Sequence, residues 1–189
     1  MLLTAPRVLR RIRSRLATFG RDQSGSITVE FVLVMPILFW SFMAGYVFFD
    51  GYRQSAINLK AAYTISDLLS RETQAITPDY IDSMYALHKL LVRADSATTL
   101  RVTVVRWDED DDKYYRDWSA ARGGPDPLTN NDLGDLKSKL PVMSNGERVI
   151  LVETSNTFVP IFAVGMEDKR LDNFVFTRPR FGPQLAWSS

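Results

Sequence analysis

From Phe31 to Phe49 the chain runs for 19 residues, FVLVMPILFWSFMAGYVFF, without a charged side chain. Extended back to Ile27 the run is 23 residues. That is about 34 Å of α-helix at about 1.5 Å per residue, against a bilayer hydrocarbon core of about 30 Å. A soluble core helix of this size needs polar positions on its outer face, and this run has almost none. The expectation is a transmembrane helix over 26–50. Pro36 and Trp40 lie inside it, and membrane helices tolerate both. A cleavable secretory signal would carry about 7–15 apolar residues closed by small side chains. Here the run closes on Phe48-Phe49-Asp50-Gly51 instead.

Charge orients the segment. Residues 1–25 hold six arginines, Arg7, Arg10, Arg11, Arg13, Arg15 and Arg21, against the single acid Asp22, whereas the remainder holds 17 basic and 21 acidic residues. Basic residues flanking a membrane helix stay on the cytoplasmic side. Residues 1–25 are therefore expected to be a cytoplasmic leader, and residues 51–189 an α+β domain beyond the membrane. The chain has no cysteine, which excludes disulfides and thiolate metal sites without fixing a compartment.

Glu30 stands at the entrance of the apolar run, in Gly25-Ser26-Ile27-Thr28-Val29-Glu30-Phe31. A carboxylate in a membrane helix costs free energy and calls for a partner. Cleavage after Gly25 would make Ser26 a new N-terminus and Glu30 the fifth mature residue. A basic leader, a glycine, then glutamate at the fifth position of an apolar helix resembles the processing site of type IV prepilins. The resemblance implies that a prepilin peptidase cuts and methylates there, and that the glutamate of one subunit neutralises the terminal amine of a neighbour. The other reading is an uncleaved anchor whose Glu30 reaches back to the interface.

More narrowly, Ser24-Gly-Ser-Ile-Thr-Val-Glu-Phe-Val-Leu-Val-Met-Pro-Ile-Leu38 resembles the Gly-x-x-x-Val-Glu-Phe-Ala-Leu-Val-x-Pro signature of the TadE family, pseudopilin-like components of tight-adherence (Tad) pilus machinery. Pro36 falls at the family's helix proline and Gly45 at its glycine near the end of the anchor. Asn156-Thr-Phe-Val-Pro-Ile161 and Thr177-Arg-Pro-Arg180 are fainter echoes. The signature covers about 25 of 189 residues. Phe48 stands where many members carry a glutamate, and Phe31 where Tad pilins favour tyrosine. The resemblance implies a minor pseudopilin of the bacterial inner membrane, its C-terminal domain periplasmic or, within a pilus, extracellular. It implies a part in assembling an adhesive type IV pilus and a role in cell adhesion and secretion. Its partners would be pilin, other pseudopilins, the prepilin peptidase and platform proteins. Gly25 and Ser26 would be the processing site, Glu30 and Phe31 the register and assembly residues, and Pro36 and Gly45 helix-packing positions. The alternative is a permanently anchored envelope binding or scaffold protein that never enters a filament.

Beyond the anchor, Gly51 to Arg71 is expected to continue as a stalk helix, with Ile57, Ala61, Ile65, Leu68 and Leu69 on one stripe and Asn58 and Ser66 among the polar remainder. Thr77-Pro78-Asp79 predicts a helix start, followed by a face of Ile81, Met84, Tyr85, His88, Leu91 and Val92. Alternation from Leu100 to Trp107 predicts a strand, Asp108–Asp112 a hairpin tip, and Lys113–Trp118 its return. The acids suit calcium chemically but lack the glycine and distal glutamate of an EF-hand, so a solvated tip is the expectation and weak cation binding the alternative. A short helix over Asn131–Leu140 and strands over Glu147–Glu153 and Leu171–Thr177 complete a small antiparallel sheet packed with the N-terminal helix, a pilin-like plan.

His88 is the only histidine. It has no acid three or four residues away, which predicts packing, not chemistry. There is no glycine-rich phosphate loop, no Gly-x-Ser-x-Gly elbow and no metal-ligand cluster. The expectation is a protein that is not an enzyme, has no cofactor and binds no nucleic acid. The leader's arginines are better explained by anionic lipid.

Overall fold

The computed structural model describes residues 17–18, 26–93 and 96–188. The chain forms two compact units, residues 1–46 and 47–189. One helix, α1 (Ser26–Arg71, 46 residues), begins in the first and ends in the second, and Pro36 lies within it. Residues 27–46 of α1 are almost entirely exposed. One helix is thus long and apolar enough to cross a membrane, and 6% of its most apolar 18-residue window is buried.

From Val47 onwards the helix has a buried stripe: Asn58, Ala61, Ala62, Ile65, Ser66, Leu69 and Ser70. The three-and-four spacing is that of one helix face. The stripe differs from the expected one. Asn58 and Ser66 are inside, whereas Leu68 is 37% exposed. Hydrophobicity alone misplaces the face by part of a turn, because this interface buries amide and hydroxyl groups.

Helix α2 (Pro78–Val92) starts as predicted, with Thr77 as its cap: the Tyr80 N–H donates to Thr77 Oγ1 at 3.2 Å. Its end is set by Arg93, whose backbone is left-handed at φ 50°. There the Gln54 amide donates to the Val92 carbonyl at 3.1 Å, supplying a partner for one of the helix's terminal acceptors. Ile81, His88 and Val92 are its buried residues.

The sheet is four-stranded and antiparallel, in the order β2-β1-β3-β4. Its strands are β1 (Thr99–Asp108), β2 (Lys113–Arg122), β3 (Arg148–Phe158) and β4 (Lys169–Thr177). One face carries Leu100, Val102, Val104, Trp118, Ala120, Ile150 and Val152, and joins Ile65 and Leu69 of α1, Ile81 of α2, and Leu185. The other face buries Val105, Tyr114, Val149 and Leu151 against Leu128, Leu133, Leu140 and Met143. A register shift between Val104 and Val105 puts Trp118 and Tyr114 on opposite faces. The tail closes the first core: Trp118 Nε1 donates to the Leu185 carbonyl at 2.7 Å, and Ile76 bridges Trp187.

Several predicted elements have different limits: β2 runs four residues past the expected Trp118, to Arg122, and β4 begins two residues before Leu171, at Lys169. The helix expected over Asn131–Leu140 is a 3-10 turn (Asn130–Asp132) and one α-turn, α3 (Leu133–Leu136). Asp132 caps Thr129 early, and the chain then turns so that both Leu133 and Leu140 reach the core. Strand β3 extends to Phe158, five residues past Glu153. Its second half, Thr154-Ser155-Asn156-Thr157, is polar, and is held by side-chain bonds such as Thr99–Ser155 at 2.7 Å.

Gly123, after β2, has φ 81°, and a Cβ there would lie 2.2 Å from the Thr98 carbonyl oxygen and 2.6 Å from the Tyr85 hydroxyl. That hydroxyl already donates to the same carbonyl at 2.9 Å. Gly123→Ala should therefore destabilise the chain by more than the roughly 1 kcal/mol at which a strained φ alone begins, because backbone must also move. Gly134→Ala, in a helical turn with nothing within 4 Å, should be neutral or stabilising by up to about 1 kcal/mol. Urea denaturation of the full chain in detergent compares them, and equal midpoints for the two variants would contradict the packing described.

Candidate membrane anchor and the cleft at its end

Gly25 lies outside the described residues. Ser26 is the first residue of α1. Glu30, Phe31, Pro36 and Gly45 are all exposed positions in the helix, and a Cβ placed on Gly45 would have nothing within 4 Å. At 3.6 residues per turn, Glu30, Ser41, Ala44 and Gly45 fall within an arc of about 100°. Phe31 lies at one margin and Pro36 on the opposite side. The helix therefore brings Glu30 and Gly45 onto one face but does not bring Pro36 there. Small residues on such a face let a second membrane helix approach closely.

At the other end of the apolar run the sheet domain meets α1. The Phe158 ring, 7% exposed, seats against Gly51, where a Cβ would be 3.4 Å from Phe158 Cε1. Two turns on, the Asn58 amide donates to Asn156 Oδ1, both residues being buried. On one side of Phe158 is an open cleft of about 570 Å³, lined by Asp50, Arg53, Gln54, Arg93, Asn156 and Ile161 among others. Arg53 Nε is 3.5 Å from Asp50 there. On the other side a smaller hollow of about 190 Å³ lies between Gly51, Tyr52 and Ser55 of α1 and Met166 and Leu171. None of these residues was singled out from sequence for a site. The available signal was Phe158–Met166, FVPIFAVGM, nine uncharged residues between β3 and β4.

Three of the five acids of the β1–β2 tip are engaged with neighbours. Lys137 Nζ donates to Asp112 Oδ2 at 2.6 Å, the Tyr115 hydroxyl donates to Asp111, and Arg106 lies 3.6 Å from Asp108. Among the described residues no group of three or more histidine, aspartate or glutamate side chains converges on a possible metal position. His88 is 1% exposed, and neither ring nitrogen has a hydrogen-bond partner in the structure. Burial therefore holds its pKa below the ordinary value of 6.5.

Comparison with known proteins finds no matching family model, no matching curated protein and no matching solved structure.

His88 makes a signed prediction. With the folded pKa depressed, the unfolded chain binds the extra proton first, so the contribution is fully present above the unfolded value of about 6.5 and is lost as pH falls towards the folded one. The melting temperature should drop on acidification below that point. His88→Leu should remove much of the drop, and an identical pH profile in the variant would assign the acid sensitivity elsewhere.

Proposed function

We propose that this chain is a TadE-like minor pseudopilin of the bacterial inner membrane, acting in assembly of an adhesive type IV (Tad) pilus. Its N-terminus is cytoplasmic and its sheet domain periplasmic, or extracellular within a fibre. The role is one of contact and not catalysis. Membrane helices associate along the Glu30–Gly45 face, while the exported domain meets pilin, other pseudopilins and platform proteins. The observation that carries the reading is the single 46-residue helix, exposed and apolar with a glutamate at its entrance over its first part and built into a small antiparallel sheet domain over its last. Such a helix suits a subunit that must pass from a bilayer to a bundle of like helices.

Under this reading a prepilin peptidase cuts after Gly25, leaving Ser26 as the terminal residue. The amine of one subunit then has the Glu30 carboxylate of a neighbour as counter-ion, which favours one axial register over others. A carboxylate buried among helices is unfavourable unless paired, so wrong registers are penalised.

Intact mass and N-terminal sequencing of chain extracted from membranes of a host with the pilus machinery should give a methylated Ser26 terminus, shorter by the 25-residue leader. A chain that keeps Met1 instead supports the permanently anchored scaffold. Glu30→Gln should leave membrane insertion intact and sharply reduce pilus output, and undiminished output would sink the register role. Gly45→Leu should leave the melting temperature unchanged, since a Cβ there meets nothing within the chain, but weaken helix–helix association in a membrane two-hybrid assay.

A further inference from the structure

Between β3 and β4 the chain runs Val159-Pro-Ile-Phe-Ala-Val-Gly-Met166 without a charge, then Glu167-Asp168, before β4 opens with Lys169-Arg170. Within it Val159 is 57% exposed and Ile161 is 65% exposed, and Phe162 and Ala163 are exposed too. A soluble domain rarely leaves an apolar loop of this length uncovered. Its position gives the reason. Phe158 is seated on Gly51, and Val159, Pro160 and Ile161 share a cleft with Asp50, Arg53 and Gln54. Those α1 residues are the first turn after Phe49, the last residue of the uncharged run.

Bilayer headgroup layers add about 5–8 Å on each side of the hydrocarbon core. At about 1.5 Å per residue, that is the depth of the first three to five residues beyond a spanning segment. A loop fastened beside residues 50–54 therefore lies at headgroup depth. Its composition suits that zone: an apolar tip, with Arg53, Arg93 and Lys169 around it to meet phosphate oxygens. The Asn58–Asn156 pair and the Gly51–Phe158 contact fix the loop's level along α1.

We infer that the β3–β4 loop is a second membrane contact, inserted through Val159, Ile161 and Phe162 into the headgroup and upper acyl region of the leaflet from which α1 emerges. The inference rests on α1 spanning a membrane. The loop then gives the unit formed by the end of α1 and the sheet a second point of contact with the leaflet, which sets its depth and tilt against the bilayer in a way that a lone spanning helix does not. Leaving the bilayer for an assembled fibre would expose the loop, so the same residues would have to be covered again by neighbouring subunits.

The chain has no cysteine, so single labels are available without background. Three variants of the full chain, Phe39→Cys, Ile161→Cys and Val142→Cys, would carry an environment-sensitive NBD label in nanodiscs of phosphatidylcholine and phosphatidylglycerol, loaded at one copy per disc. Val142 is 96% exposed and follows Pro141, which lines a hollow together with Val149 near the start of β3, and Val149 is about 30 Å along the strand from Phe158 at about 3.3 Å per residue. Nitroxide lipids then report depth. The expected result is strong quenching at 39 by deep nitroxides, several-fold stronger quenching at 161 than at 142 by shallow nitroxides, and a blue-shifted emission at 161. Quenching at 39 with 161 no different from 142 overturns the loop contact and leaves the anchor standing. No quenching at 39 overturns the anchor and the inference with it. Shielding at 161 that arises only in discs holding two copies assigns the loop to a second copy and overturns the lipid contact.

Discussion

The contact of Ile65 and Leu69 on α1 with Leu100, Val102 and Ile150 of the sheet is the one on which the rest of the domain depends. Truncating such fully buried aliphatic side chains typically costs about 2–5 kcal/mol each, a large share of a small domain's stability of about 5–15 kcal/mol. The helix that makes this contact is also the helix that bears the apolar run. A helix that carries both cannot be optimised for either alone. Its first part must expose apolar side chains all round, and its last must concentrate them on one face. The sequence changes over at Asp50-Gly51-Tyr52-Arg53, where the first charges appear and where a missing side chain admits Phe158.

Around that contact, polar side chains do much of the specifying. Arg101 makes a two-pronged bond to Glu153, with Nε at 2.7 Å and Nη2 at 2.8 Å, across the middle of the sheet. Thr103 and Ser119 share a bond of 2.8 Å. A one-residue slip of β1 against its neighbours would break both and turn Val102 and Val104 out of the core. The Asn58–Asn156 pair acts the same way between α1 and β3. Buried amides contribute little net stability when paired, yet about 1–3 kcal/mol is lost when one is left without its partner. Such groups penalise wrong alignments of helix on sheet more than they strengthen the right one.

Those polar contacts also mark where the sequence stops being readable. The long apolar helix, the start of α2 and the alternating core of β1 were legible because each is local: an uncharged run, Thr77-Pro78-Asp79, and a period of two. The stripe on α1 was only partly legible, because placing Asn58 and Ser66 inside requires knowing that β3 carries Asn156 and that the interface can take polar groups. The second half of β3 was missed for the same cause, since Thr154–Thr157 carries no apolar alternation and its partners on β1 and β4 are distant in sequence. Residues Gly25, Glu30 and Gly45 were named from a motif, and the helix explains how two of them share a face. The cleft beside Phe158 was invisible. It is made by residues about a hundred positions apart, and neither Arg53 nor Ile161 is unusual in its own neighbourhood.

The start of α1 adds a physical argument that composition does not contain. With Ser26 as the first helical residue, a cut after Gly25 leaves a cationic amine on the positive end of the helix dipole, where cations are disfavoured by about 0.3–1 kcal/mol. In a low-dielectric bundle that penalty grows, because neither the amine nor the terminal N–H groups can turn to water. A carboxylate four residues further on sits one turn away, rotated by about 40° and raised by about 6 Å. Within its own chain it would answer the dipole, since anions are favoured in this first turn, while the amine of a neighbouring subunit would be its counter-ion. A neutral residue at position 30 would leave both charges of one sign facing each other. On the proposed reading Glu30 would balance the charge that such a cut would create. An uncleaved anchor would have no such terminal amine, and its carboxylate would have to be held by the interface instead.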